Sequence, residues 1–393
     1  MILPSNNHGL EARSQIQSLA ASEIRKVANR AMGKPDVLPF WFGESDQTTP
    51  AFIRDAATLS IAQGETFYSQ NLGRPYLRQG IADYLTRLHG KAFDVDQIAV
   101  TGSGVSGLML AAQMLVEPGD KIVAVTPLWP NVVEIPKILS AKVERVSLEV
   151  KQGRWALDLD KLLASLTPDT RVLLLNSPNN PTGWTIDQAS IDVIAAHCRK
   201  YGIWVISDDV YERLVFDPKL KSAPSFLKSA QPGDRVISVN SFSKAWSMTG
   251  WRIGWMVVPP ELSTDLAKVI EYNVSCVFEP IQRAAYAAVT DGEASIEELR
   301  ARLRGTREVL LNGLHSLPGI EVPGADGAMY AFFRIQGHTD SLTLATQLVD
   351  EVGLGLAPGG AFGPEGAEWL RWCHAVDVGK LNLGLDRLKA FLG

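Results

Sequence analysis

Seven short runs rich in Val, Ile and Leu, each set off by a stretch of helical pattern, constrain this chain more than any other feature. They are "QIAV" (97–100), "KIVAVTP" (121–127), "VERVSLE" (143–149), "RVLLLN" (171–176), "IWVISDD" (203–209), "RVISVNS" (235–241) and "RIGWMVV" (252–258). A strand that faces solvent on one side alternates apolar and polar residues; continuous apolar runs belong to a sheet covered on both faces. The pattern predicts an α/β fold: a mostly parallel mixed sheet flanked by helices. The link "KAWSMTG" is short for a parallel crossover, so the last run is expected to be antiparallel. A helix is expected over Val105–Val116, and Thr185 with Gln188 reads as a capping box opening a helix to about Lys200.

The texture changes near residue 292. "ASIEELRARLRGTREVLLNGLHSL" is an amphipathic helix, "AMYAFFRI" and "EWLRWCHA" are strands, and "TLATQLVDEVG" and "DVGKLNLGLDRLKAFL" are helices. These form a smaller α+β unit. The first 45 or so residues hold one helical stretch, "SEIRKVANRAM", too little to fold alone, and are expected to pack on that unit. The expected division is an N-terminal segment 1–48, a large domain 49–290 and a small domain 291–393.

Charge and cysteine content narrow the function classes. A net charge of −5 argues against a broad nucleic-acid surface, although local sites for small anions need no basic total. Cys198, Cys276 and Cys373 are scattered without metal-ligand spacing, and no metal is expected. The first residues lack the apolar core of a secretory signal, and no run of 18 apolar residues occurs. A cytoplasmic protein with neither membrane nor nucleic-acid partner is the expectation.

"GSGVSG" (102–107) matches GxGxxG between a strand and a helix. A dinucleotide site would also need an acid at the end of the next strand, and that strand ends "VTPLWPN", with no acid before Glu134. A glycine turn before a buried helix is one alternative. A cradle for a single phosphate, built from N–H groups at the helix N-terminus, fits better because it needs no ribose partner.

"SFSKAWSMTGWRIGW" (241–255) places Lys244 in an apolar run. Burial disfavours an ammonium ion, which frees the amine as a nucleophile for an aldehyde. Pyridoxal phosphate is an aldehyde cofactor that also brings a phosphate, a pyridine nitrogen and a phenolic oxygen. With "NSPNNPTG" (176–183), "SDDVYERL" (207–214), "TFYSQNLGRPYLRQGIADY" (66–84) and "PGGAFGPEGAEWLRWCHA" (358–375), the chain resembles the class I/II aminotransferases, the pyridoxal-phosphate enzymes of fold type I. Five motifs in one order carry the resemblance over nearly the whole chain.

The resemblance implies roles. Lys244 would form the Schiff base with the cofactor and move the substrate's Cα proton. Asp208 would pair with the pyridine nitrogen, and Tyr211 and Asn180 would bond the phenolic oxygen. Trp129 would stack on the ring. Ser103, Gly104 and Val105 would cradle the phosphate with Ser241 and Arg252. Tyr68 would reach the cofactor of a second subunit, implying a homodimer with shared active sites. Arg371 would clamp the substrate α-carboxylate, assisted by Asn180 and the backbone at Gly43. Asp209 competes with Asp208 for the ring nitrogen, and His374 reads as a packed strand histidine rather than a base.

The implied reaction moves an amino group between an L-amino acid and a 2-oxo acid in a ping-pong cycle. A β-lyase or synthase of the same fold would use the same lysine, aspartate and arginine; the plain "PNNPTG" and "PGGAFG" blocks favour the transaminase. A nicotinamide-dependent oxidoreductase built on "GSGVSG" is the remote alternative. No Lys or Arg follows the phosphate loop before Lys121, which leans towards neutral or aromatic substrates, unless Arg30 or Lys34 supplies a cation.

Overall fold

The computed structural model describes residues 10–393. A seven-stranded sheet runs in the order Ile98–Thr101, Gly254–Val257, Val236–Ser241, Trp204–Asp208, Thr170–Asn176, Lys121–Thr126, Lys142–Ser147. Strand Gly254–Val257 is antiparallel to both its neighbours, and every other pairing is parallel. The short link before residue 252 is therefore a reversal, as expected.

The continuous apolar runs have a physical origin in two-sided burial. Side chains alternate between faces along a strand. Val123, Val125, Leu173, Leu175 and Val205 pack on one face with Ile191 and Ile194 of helix Gln188–Tyr201. Ile122, Ala124, Val172, Leu174 and Ile206 pack on the other with Leu108 and Ala111 of helix Gly104–Leu115. Each such side chain contributes about 1.5–3 kcal/mol by leaving water.

The second sheet has four strands, ordered Ile320–Glu321, Tyr330–Ile335, Trp369–Cys373, Ala357–Pro358, with antiparallel neighbours. Helices Glu293–His315, Ser341–Val352 and Val378–Leu392 pack beside it. The N-terminal segment joins this unit. Leu38–Pro39 pairs in parallel with Leu354–Gly355, and Arg30 and Lys34 of the first segment bind Asp350 at 2.9 and 2.7 Å.

One expectation needs correcting. Helix Gln188–Tyr201 is capped by Asp187, whose carboxylate accepts from the Ser190 N–H at 2.8 Å, and not by Thr185. Asp187 sits one residue before the helix, where its charge also meets the positive end of the helix dipole; the Thr185 hydroxyl is buried without a partner.

The antiparallel strand brings the site together. Gly254 lies so close to the phosphate-loop backbone that a Cβ there would stand 2.8 Å from Gly104 N and 2.9 Å from Ser103 C. Only glycine lets the strand and the start of helix Gly104–Leu115 approach this closely. No helix among the described residues is long and apolar enough to cross a membrane.

Candidate active site

Parallel strands of the large sheet end at one cavity of about 550 Å³, which also takes residues from the small unit and the N-terminal segment. Ligands of open α/β sheets bind at such strand ends. Loops there face no neighbouring strand and are free to carry chemistry.

Lys244 sits on the single helical turn Phe242–Ala245, which directly follows strand Val236–Ser241. Ser241 caps the turn, its hydroxyl accepting from Ser243 N at 3.1 Å. The Lys244 amine donates to the carbonyl of Gly43 and lies 5.7 Å from the Tyr211 ring centre. Burial, with smaller pushes from Arg371 and Arg252, lowers its pKa to about 8.

Asp208 ends strand Trp204–Asp208 and lines the cavity; its neighbour Asp209 does not. The Asp209 carboxylate instead accepts from the hydroxyls of Ser207 and Ser238, both at 2.5 Å. Burial raises the Asp208 carboxyl to about 7, with the negative charge of Asp209 adding to it. The Val210 N–H, 3.3 Å away, only partly opposes this. A cationic ring N–H placed against Asp208 would return it to the ionised form.

Arg371 is the most telling group. It lies in strand Trp369–Cys373, is 2% exposed, and is flanked by the rings of Tyr330 and Phe362 at 4.4 and 4.9 Å. It donates to Asn180 Oδ1 at 2.8 Å and to the carbonyl of Trp41, both neutral oxygens, while its Nε has no partner. A buried guanidinium without a counter-ion is costly, and the cavity in front of it has room for a carboxylate.

Asn180 is held in turn by Asn176, whose Oδ1 accepts from Asn180 N at 2.8 Å and whose amide donates to the Asp208 carbonyl at 2.9 Å. Trp129 lines the cavity at the start of helix Pro130–Ile138, and its N–H donates to the Asn180 carbonyl at 3.0 Å. Gly104, Val105, Ser241 and Arg252 line the same cavity. Ser103 does not; its hydroxyl caps helix Gly104–Leu115, accepting from Ser106 N at 3.0 Å. Arg252 is exposed, in the left-handed region at φ 54°, and donates to the Thr249 carbonyl at 2.6 Å.

Several groups in the site carry no sequence signal. Tyr330 meets Tyr211 hydroxyl to hydroxyl at 2.5 Å, and burial with this contact pushes the Tyr211 phenol well above its usual range. In "AMYAFFRI" it reads as one more core aromatic. Asn176 opens the motif "NSPNNPTG" without a role read for it, and the Trp41 carbonyl belongs to the backbone. Tyr68 does not line the cavity of its own chain and is 88% exposed. His374 bonds Thr306 at 3.2 Å, away from the cavity, and burial lowers it to about 3. Arg30 and Lys34, tied to Asp350, do not line the cavity; Arg25 does.

The family model of aminotransferase class I and II matches residues 36–388. The chain belongs to the class I and II aminotransferases. It is 31% identical over 379 residues to an aspartate aminotransferase of Pyrococcus horikoshii, covering 94% of each chain. It is 32% identical over 348 residues to an arginine–pyruvate transaminase of Pseudomonas aeruginosa, covering 88% of this chain and 87% of the other. Among solved structures, a single mutant of the aspartate aminotransferase of Thermus thermophilus superposes with a TM-score of 0.90 at 28% identity, covering 97% of this chain and all of that one. An Escherichia coli protein with a methionine aminotransferase function superposes equally well, at 26% identity with the same coverage. An aminotransferase needs no dinucleotide, so "GSGVSG" stands as a helix-opening loop at the cavity, and the oxidoreductase alternative falls. Pyridoxal phosphate is the cofactor of this family, and the aminotransferase cavity offers chemistry that suits it: a half-buried amine, a buried acid, a helix N-terminus and an unpaired buried guanidinium.

Proposed function

We propose that this aminotransferase holds pyridoxal 5′-phosphate on Lys244 and exchanges the amino group of an L-amino acid for the oxygen of a 2-oxo acid in a ping-pong cycle. The reading rests on one observation: Lys244, Asp208 and the acid-free Arg371 share a single cavity. When bound, the cofactor supplies an aldehyde for amines and a ring that withdraws electrons from the substrate Cα.

The residues then divide the work. Asp208 holds the proton of the ring nitrogen, and Tyr211 and Asn180 bond the phenolic oxygen. Trp129 covers one ring face. The N–H groups at Gly104 and Val105, with Ser241 and Arg252, hold the phosphate, and Ser103 serves by capping the helix that presents them. Arg371 binds the substrate α-carboxylate, with Asn180 and the backbone at Gly43 beside it, and so orients the Cα–H bond. The lowered pKa of Lys244 leaves its amine able to take that proton near neutral pH.

Apolar side chains of Leu19, Ile24, Leu108 and Ile135 line the cavity, which favours neutral or aromatic amino acids as one partner. Arg25, which also lines the cavity, suits an acidic partner as the other. Exposed Phe67, Tyr68, Tyr272, Val274 and Phe278 suit burial against a second copy, with Tyr68 completing its site. Three unpaired cysteines fit the cytoplasm. The proposed division of the chain is 1–48, 49–290 and 291–393.

The test is a panel of amino donors against 2-oxoglutarate, pyruvate and oxaloacetate, scored by the new amino acid formed. The purified protein should absorb in the visible and change spectrum with a donor. A lyase would release pyruvate and ammonia without an acceptor. Lys244→Ala should abolish turnover; transamination at the wild-type rate by that variant would refute the assignment.

A further inference from the structure

Behind Asp208 lies a second set of buried charges. Residues 207–212 carry three buried acids, Asp208, Asp209 and Glu212, and only Asp208 lines the cavity. Glu212 Oε1 accepts from the Asn240 amide at 2.7 Å. Its Oε2 lies 3.5 Å from His89 Nε2, an ion-pair distance; both side chains are 3% exposed, and neither atom has a hydrogen-bond partner. The Asn240 Oδ1 accepts from the N–H of Ser241 at 2.7 Å, and Ser241 caps the turn that carries Lys244. A chain of contacts therefore runs from His89 through Glu212 and Asn240 to Ser241.

His89 is well placed to be a cation. It is the last residue of helix Pro75–His89, where the free carbonyls favour positive charge, and Gly90 closes the helix at φ 67°. Three charged groups bear on it: Glu212 and Asp209 favour the imidazolium, and Lys228 opposes it. Burial alone would lower its pKa, yet the acids outweigh burial and the net direction is up. The Phe93 ring packs 5.9 Å away.

We propose that His89, as an imidazolium paired with Glu212, is a positioning residue of the cofactor cradle: it neutralises the acid that orients Asn240, and through Asn240 fixes Ser241 and the Lys244 turn. The inference rests on the cofactor reading above. His89 touches neither cofactor nor substrate, so its loss acts on how well the cradle is held. It also supplies compensating charge to an acid cluster in which Asp209 already raises Asp208. Losing it leaves a buried carboxylate unpaired one residue from Tyr211.

The experiment titrates apo protein with pyridoxal phosphate and follows the absorbance of the bound form. His89→Gln keeps the size and polarity and loses the charge; its cofactor Kd should rise about tenfold. The double variant His89→Gln/Glu212→Gln removes both charges and keeps an amide oxygen for Asn240, so its Kd should return to within about threefold of wild type. A structural plug without a charge role would give no such rescue. An unchanged Kd in His89→Gln, or a double variant no better than the single, overturns the proposal. A 15N titration of wild-type protein gives a check that needs no variant: the His89 ring should hold its proton to higher pH than an ordinary histidine, and one that loses it at or below the ordinary range overturns the proposal even if His89→Gln does not fold. If wild-type protein binds no pyridoxal phosphate, the cofactor reading falls, and this inference with it.

Discussion

Asn180 Oδ1 accepts a hydrogen bond from Arg371 Nη1 at 2.8 Å, joining residues 191 positions apart across the seam between the two sheets. The contact fixes the acceptor end of Asn180 and leaves its N–H₂ free to turn towards a phenolic oxygen. It also satisfies only part of the guanidinium. Arg371 is held in position by neutral oxygens and two aromatic rings, and its charge is left for a ligand. Preorganisation of this kind costs stability before substrate arrives and is recovered when a carboxylate binds.

Arg371→Leu should therefore have opposite effects on folding and function. The apo variant should be at least as stable as wild type in thermal unfolding, because an unpaired buried charge is gone. Its kcat/KM should fall about 10²- to 10³-fold for every amino donor, whatever the side chain. A loss confined to acidic donors would place Arg371 at the distal end of the substrate instead.

Lys244 should titrate far below an ordinary lysine. With a pKa of about 8, about a quarter of the amine is uncharged at pH 7.5, against about one part in a thousand for a lysine at 10.5. Competitive acylation of apo protein across pH should show its reactivity rising with a midpoint near 8. A midpoint near 10.5 would contradict the half-buried, nucleophilic amine.

Asp208 makes a prediction about stability and pH. Its folded pKa of about 7 lies above its ordinary 3.8, so the folded protein binds more protons than the unfolded chain between those values. Its contribution is present in full below pH 4 and is lost as pH rises through 7. Asp208→Asn keeps an acceptor for Val210 N–H and removes the titration. The apo variant should match wild type near pH 4 and exceed it at pH 8, by on the order of 2–4 kcal/mol in denaturant unfolding. Its affinity for pyridoxal phosphate should fall at the same pH. Equal stability at pH 8 would mean that Asp208 is already ionised and compensated in the apo state.

How much of this was legible in the sequence follows from how far apart the interacting residues lie. The central strands announce themselves because both faces of each are buried, as at 171–176 and 203–209, and the antiparallel strand follows from a link too short to cross over. Lys244, Asp208 and Asn180 sit in local motifs at strand ends and can be picked out one by one. Tyr330 and His89 cannot. Tyr330 becomes a site residue only because a strand of the small sheet carries it to Tyr211, 119 positions away. His89 matters only through Glu212, on another element. Even a local rule failed where two candidates competed: Asp187, a stronger acceptor one step from the helix, took the cap from Thr185.

Gly43 offers the sharpest test of how the N-terminal segment serves the site. Its carbonyl accepts the Lys244 amine, and a Cβ at this position would overlap the Tyr330 hydroxyl and stand 2.9 Å from the ring carbon that bears it. Gly43 has no left-handed backbone to explain it; close approach is the reason for glycine here. Gly43→Ala must push the loop away from Tyr330, carrying off the lysine's acceptor and the neighbouring Trp41 carbonyl that holds Arg371. The expected result is a folded protein whose kcat/KM falls tenfold or more, on the order of 1.4 kcal/mol, for all donors alike. Tyr330→Phe removes the oxygen that the methyl group would strike while keeping the ring against Arg371, so Gly43→Ala/Tyr330→Phe should recover part of the loss. If the double variant is as slow as, or slower than, Gly43→Ala, crowding against Tyr330 is not what glycine at 43 avoids.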